Sequence, residues 1–149
     1  MNTKYLGIDF GEKRIGIAIT DENRKYSFSR DYIDNNEKFL PELLNLIKNE
    51  NVSKIILGYP LNLKSEKTVQ TLKTEEFKNR LTEFFKKNSL NTEILFYDER
   101  FSSRIAESGI INSNLKRKKR REKGLVDSLS AQIILQDYLD KLKNESEKL

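Results

Sequence analysis

The chain has no cysteine and no histidine. The first absence excludes disulfides, thiol nucleophiles and thiolate zinc sites; the second excludes imidazole ligands and Ser-His-Asp chemistry. Any metal must then be held by oxygen, which favours Mg²⁺ or Mn²⁺. Any general base must be a carboxylate, a Lys, a Tyr or a metal-bound water. Long apolar runs are missing as well: none approaches the ~18 residues that span a bilayer. Met1-Asn2-Thr3-Lys4 runs straight into a short apolar strand without the long h-region of a signal peptide. The expectation is a cytoplasmic protein with no membrane partner.

What is present amounts to one domain. The 149 residues suffice for one core and not two, so residues 1–143 are expected to form a single domain and 144–149 a polar tail. Hydrophobic residues make up 36% and charged residues 34%; the chain is polar, yet its apolar residues cluster into periodic segments, which separates it from a disordered one. The net charge of +5 is not spread evenly. Lys116-Arg117-Lys118-Lys119-Arg120-Arg121-Glu122-Lys123 carries seven cations and one anion, which leaves the rest of the chain at −1. A near-neutral body with one basic loop suits a polyanion, nucleic acid first; the plainer account is a solvated surface loop.

Tyr5–Phe10 and Arg14–Thr20 read as strands joined by a Gly-containing connection, a hairpin. Lys25–Ile33 alternates weakly and reads as a third antiparallel strand. Leu40–Lys48 has helical spacing, with Leu40, Leu43, Leu44 and Ile47 on one face and Pro41 in the first turn. Val52–Leu57 is a β-branched strand that ends in Gly58-Tyr59-Pro60-Leu61-Asn62. A helix over Lys67–Lys87 turns Phe77, Leu81, Phe84 and Phe85 inward. Thr92–Tyr97 is a fifth strand, a helix capped by Ser102 or Ser103 runs to about Ile111, and a last helix over Leu125–Lys143 packs Val126, Leu129, Ile133 and Leu142 inward. Helices between later strands imply right-handed parallel crossovers. The class is therefore α/β: a mixed five-stranded sheet, three antiparallel meander strands first, with helices for both faces.

Asp9 sits in an apolar strand between Ile8 and Phe10, where a carboxylate needs a partner. Asp98 and Glu99 end a later strand. In a sheet with a parallel centre, strand carboxyl ends share one rim, and ligand sites gather there. Asp127, at the start of the last helix, is placed to complete a three-carboxylate cluster, although an acid in a helix's first turn also simply favours the helix dipole. Asp98 reads equally as a turn residue or a partner of Arg100. Clustered carboxylates repel unless a cation lies between them, and two hard cations there would suit phosphodiester hydrolysis.

Leu6-Gly7-Ile8-Asp9-Phe10-Gly11-Glu12-Lys13-Arg14-Ile15-Gly16-Ile17-Ala18 resembles the opening motif of the YqgF family, also called RuvX. Gly58-Tyr59-Pro60-Leu61 is similar to its Gly-x-Pro-Leu loop, Asp98-Glu99-Arg100 to its Asp-Glu-Arg motif, and Asp127-Ser128-Leu129-Ser130-Ala131 to its final Asp-x-x-x-Ala helix. The resemblance runs from about Lys4 to Leu142. It implies an RNase H-like fold with later strands parallel to the first, and Asp9, Glu99 and Asp127 as the catalytic, metal-binding set, with Asp98 a further candidate ligand. It also implies a nuclease, either one that processes the 5′ end of precursor 16S ribosomal RNA, the favoured reading, or a Holliday junction resolvase cutting branched DNA. Two departures stand out: Leu63-Lys64-Ser65-Glu66 replaces a common Asp-Gly pair, and Ser130 replaces a common Ala. The basic loop is also richer than the family pattern.

On this reading Mg²⁺ or Mn²⁺ is the cofactor. Lys13, Arg14 and Arg100 are candidate phosphate contacts, and Lys116, Arg117, Lys118, Lys119, Arg120, Arg121 and Lys123 hold the nucleic-acid backbone. Partners are precursor rRNA, a pre-ribosomal particle or branched DNA, acted on by a monomer or a homodimer; two symmetric junction cuts would call for the dimer. Two other classes compete. One is a nucleic-acid-binding module without catalysis. The other rests on Gly7–Gly11, which also resembles the first phosphate motif of actin-like ATPases and sugar kinases, but those enclose nucleotide between two such domains and 149 residues supply one. If the basic loop neutralises about six phosphates of a single strand, log affinity against log salt has a slope of roughly −4. A slope near zero, read from binding titrations at stepped salt, removes the loop from the interface.

Overall fold

The computed structural model describes residues 2–98 and 123–147, with side chains in the second stretch from Ser128 to Ser146. The order is β1 (Lys4–Asp9), β2 (Arg14–Thr20), β3 (Ser27–Asp34), α1 (Phe39–Glu50), β4 (Val52–Tyr59), α2 (Val69–Lys87), β5 (Glu93–Asp98) and α3 (Lys123–Glu147). The helix expected from Ser102 or Ser103 and most of the basic loop lie outside the described residues.

The five strands form one sheet in the order β3-β2-β1-β4-β5. β1–β2 and β2–β3 are antiparallel, whereas β1–β4 and β4–β5 are parallel. This is the mixed sheet that the alternation of meander and helical crossovers implies. Because strand side chains alternate, each strand serves two cores. Leu6, Ile8, Ile15, Ile17, Ile55 and Leu57 bury against Phe39, Leu43 and Ile47 of α1 and Phe77, Leu81 and Phe85 of α2. Ala18, Ile56 and Tyr97 bury on the other face against Ala131, Ile134 and Leu135 of α3.

Local chemistry explains the boundaries. The side chain of Thr68 accepts from the Thr71 N–H, and Thr71 closes a reciprocal box on the Thr68 backbone, so α2 starts at Val69, two residues later than its periodicity predicts. Asn51 takes the left-handed conformation after α1 and donates its N–H to the Ile47 carbonyl. α1 ends beside the start of the sheet, where Glu50 accepts from Lys4 at 2.6 Å and pairs with Arg30 of β3 at 3.3 Å. That one carboxylate ties α1, β1 and β3 together.

Helix α3 differs from its expected form. It begins at Lys123 and continues to Glu147, which puts Asp127 beyond the first turn. Its inward face is Ser128, Ala131, Ile134, Leu135 and Leu139, while Leu129, Ile133 and Leu142 are only half-buried. The reason is close approach. A Cβ added to Gly7 would lie 2.8 Å from the Ala131 carbonyl oxygen and 2.9 Å from the Leu135 Cβ, so the helix backbone lies almost on β1, with the face of Ala131 and Leu135 turned to the strand. Polar side chains then seat it sideways. Ser27 of β3 donates to the Gln132 carbonyl at 2.9 Å, the Ser27 N–H donates to Gln136 Oε1 at 2.8 Å, and Gln132 Nε2 donates to the Ser27 carbonyl at 3.1 Å.

Gly7→Ala forces that backbone apart and is expected to destabilise by about 1–3 kcal/mol, measured by urea unfolding. Lys4 and then Arg30 hold the Glu50 carboxyl below its ordinary value of 4.5. A depressed carboxylate contributes stability that is present above its unfolded value and lost as pH falls through the folded one. Glu50→Gln is therefore expected to flatten the fall in melting temperature below about pH 4.5 and to leave the profile above it parallel to wild type.

Candidate active site

Asp9 is the last residue of β1 and is partly buried. Its face follows from its neighbours. Gly7 abuts α3, and the Tyr5 ring meets the Tyr138 ring edge-on at 6.3 Å, whereas Leu6 and Ile8 belong to the opposite core. Alternation puts Asp9 on the α3 side. Its cross-strand partner in β2 is Gly16. On the other flank, one step beyond the Ile8–Leu57 pair, stands Gly58 of β4. Two glycines thus border the carboxylate on its own face, and neither contributes a side chain that would crowd it. The hairpin arithmetic of the sequence already contains the first of these neighbours; the second needs the parallel register.

The turn after Asp9 is braced by the β3–α1 connection and by α2. Asn35 Nδ2 donates to the Gly11 carbonyl at 3.0 Å, and Gln70 Nε2 donates to the Phe10 carbonyl at 3.1 Å. Lys73 of α2 pairs with Glu12, and the Phe10 ring packs on Phe77 with centroids 4.4 Å apart. A side chain at Gly11 would collide with the Arg14 carbonyl, so this turn requires glycine.

α3 runs antiparallel to β1, since Tyr138 lies over Tyr5 while Ala131 and Leu135 lie over Gly7. Two residues of strand advance about 6.6 Å and four of helix about 6 Å. The next step along both brings Asp9 level with the helical turn that contains Asp127. Next to it, buried Ser128 accepts a long hydrogen bond, 3.5 Å, from the Ile17 N–H, which anchors that turn to β2. The backbone therefore brings Asp9 and Asp127 to the same rim and the same face.

Asp98 ends β5 opposite Tyr59 of β4. Its alternation partners are Ile94, in the α1/α2 core, and Phe96, which packs on Tyr59 with centroids 4.5 Å apart and carries Lys78 of α2 over its ring at 4.7 Å. Asp98 thus stands on the α2 side of the sheet, away from the Asp9 face. Glu99 and Arg100 lie outside the described residues, as do Lys116, Arg117, Lys118, Lys119, Arg120 and Arg121; Lys123 is the first residue of α3. Among the described residues no three acidic side chains gather. Lys13 is exposed at the hairpin tip, and Arg14 is partly buried, across from Asp34 with its guanidinium 5.9 Å from the Tyr32 ring.

The loop after β4 is closed by its own side chains. Asn62 Oδ1 accepts from the Lys64 and Glu66 N–H groups at 2.9 Å each, Ser65 adopts a positive φ of 67°, and Thr71 of α2 donates to the Pro60 carbonyl. Tyr59 donates to Glu75 at 3.1 Å and Lys67 pairs with the same oxygen at 3.0 Å. Leu63-Lys64-Ser65-Glu66 therefore forms a defined turn without the Asp-Gly pair that the resemblance leads one to expect. The sequence reading missed a further group, Tyr97 of β5. It is buried, donates to the Asp137 carboxylate of α3, and is held above the ordinary tyrosine range by burial first and Asp137 second. Its aromatic strand position reads as plain core; only the acid ten residues past Asp127 hints at a partner.

A five-stranded 3-2-1-4-5 sheet with a carboxylate at the rim of its central strand is the RNase H-like arrangement of the resolvases. Thermus thermophilus RuvC, solved in complex with a Holliday junction substrate, has the same fold: TM-score 0.54 at 9% identity, covering 89% of this chain and 91% of that one. The family model for RuvX, described as Holliday junction resolvase, matches residues 3–141, and the chain belongs to that family. Two relatives carry the name of a proposed pre-16S rRNA nuclease. The one from Sulfurihydrogenibium sp. is 41% identical over 147 residues, covering 97% of this chain and 95% of its own. That from Mycoplasmopsis synoviae is 40% identical over 143 residues, covering 94% and 99%.

Proposed function

We propose that the chain is a divalent-metal-dependent nuclease that hydrolyses phosphodiester bonds of precursor 16S rRNA in the cytoplasm, alone or on a pre-ribosomal particle. The observation that carries this reading is Asp9, bordered by Gly16 and Gly58 on the face that the turn containing Asp127 covers. The names of the two relatives supply the RNA. The donor set fits a hard cation because it consists of carboxylate oxygens alone in a chain without His or Cys. Asp9, Glu99 and Asp127 would hold Mg²⁺ or Mn²⁺; Asp98, on the other face of the sheet, is left out of the set.

A divalent cation held there would supply water activation and charge stabilisation of the leaving oxygen for an in-line displacement. The chain's own part is positional. The turn from Phe10 to Lys13, braced by Asn35, Gln70 and Lys73, fixes where the Asp9 carboxylate points. The flanking glycines let a phosphate approach the backbone closely. Exposed Lys13 contacts the nucleic-acid backbone beside the cut, and the basic loop holds it further out; such contacts set register and carry no sequence information. A second reading, cleavage of a four-way DNA junction, is favoured by the family's own description and would use the same chemistry.

One assay separates the two: cleavage with Mn²⁺ or Mg²⁺ of labelled RNA spanning the 5′ end of precursor 16S, beside a labelled four-way DNA junction. The expected result is cleavage of the RNA, reduced at least about a hundredfold by Asp9→Asn, since even outer-shell partners of a metal are worth about 10–100-fold. Cleavage of the junction alone moves the assignment to resolvase. No cleavage of either, or undiminished cleavage by Asp9→Asn, leaves a nucleic-acid-binding module instead.

A further inference from the structure

Among the described residues β5 is an edge strand, hydrogen-bonded only to β4, and α3 lies mainly across β1, β2 and β3 on the far side of β4. These two elements carry two of the three carboxylates of the proposed site: Glu99 follows directly after β5, and Asp127 is in α3. Among the described residues Leu95 packs on the α3 core, and the polar link between the two elements is the Tyr97 side chain. Its hydroxyl donates to Asp137, its ring stands edge-on to Tyr138 at 6.3 Å and 89°, and Lys141 lies over the ring at 4.9 Å. Three residues within five positions of one helix thus clasp a single strand residue that is 8% exposed.

We infer that Tyr97, through its hydrogen bond to Asp137, is a positioning residue that sets the distance between the end of β5 and α3 and so tunes the affinity of the site for a divalent cation. The inference rests on the metal-holding reading of Asp9, Glu99 and Asp127. Burial makes the coupling stiff: the hydroxyl is desolvated and its acceptor charged, a strong class of hydrogen bond. Losing it lets an edge strand with one neighbour shift against the helix, and outer-shell contacts that orient metal ligands are typically worth about 10–100-fold in affinity. A purely structural hydrogen bond would change the melting temperature and leave affinity in the folded protein untouched.

The test is Mn²⁺ binding to the full chain by isothermal titration, with thermal melts alongside, for Tyr97→Phe, Asp137→Ala, Asp137→Asn and Asp9→Asn. Tyr97→Phe keeps the ring and its packing; Asp137→Asn keeps an oxygen acceptor. The expected result is Mn²⁺ affinity at least tenfold weaker in Tyr97→Phe and Asp137→Ala, and no weaker in the Tyr97→Phe/Asp137→Ala double variant, with Asp137→Asn restored to within about threefold of wild type. Wild-type affinity in Tyr97→Phe and Asp137→Ala, with binding lost in Asp9→Asn, overturns the positioning role and leaves the site intact. Undiminished binding in Asp9→Asn overturns the metal site itself, and the inference with it.

Discussion

Everything on one face of this sheet depends on how closely α3 lies on β1. At Gly7 the helix backbone comes within the space a methyl group would need, and that contact fixes the helix in height and rotation at once. Height is set because any side chain would lift it. Rotation is set because the contacts above Gly7 are made by the Ala131 carbonyl and the Leu135 side chain, which turns their face of the helix inward. The polar contacts from Ser27 to Gln132 and Gln136 then settle the slide along the sheet. With all three settled, the turn that holds Asp127 is brought level with Asp9 by geometry alone.

On the proposed reading the site draws on three separate elements, each locked by a different device. β1 is held by a turn tied to the β3–α1 connection and α2, α3 by close approach, and β5 by Tyr97. Such redundancy makes physical sense for like charges. Carboxylates brought together repel, and the scaffold has to resist their separation before any cation arrives.

Much of the fold was legible in the residues. The hairpin, the two parallel crossovers and both apolar cores follow from period-two and helical spacing, and Asp9 stood out because a carboxylate between Ile8 and Phe10 is costly without a purpose. The rotation of α3 was not legible. Periodicity chooses Leu129 and Ile133 as readily as Ile134 and Leu135, and only the contact of Ala131 and Leu135 with Gly7 decides between the two faces. The side of the sheet taken by Asp98 was hidden for a related reason: only the pleat, once anchored by Phe96 and Tyr97, decides it. Tyr97 itself gave little signal, because a buried aromatic residue and a buried hydrogen-bond donor look alike until the acceptor is seen.

The order of elements along the chain has a consequence for biosynthesis. Residues up to Asp98 contain all five strands and both helices of the first core, so that layer can assemble as soon as it emerges, in keeping with the amino-terminal-first folding of nascent chains. The second face, with Ala18, Ile56 and the groove above Gly7, stays uncovered until α3 is made. An incomplete chain thus exposes an apolar sheet face to chaperones and at the same time lacks Asp127. On the reading above, a chain that ends before α3 lacks both the cover of that sheet face and one of the three proposed metal-holding carboxylates.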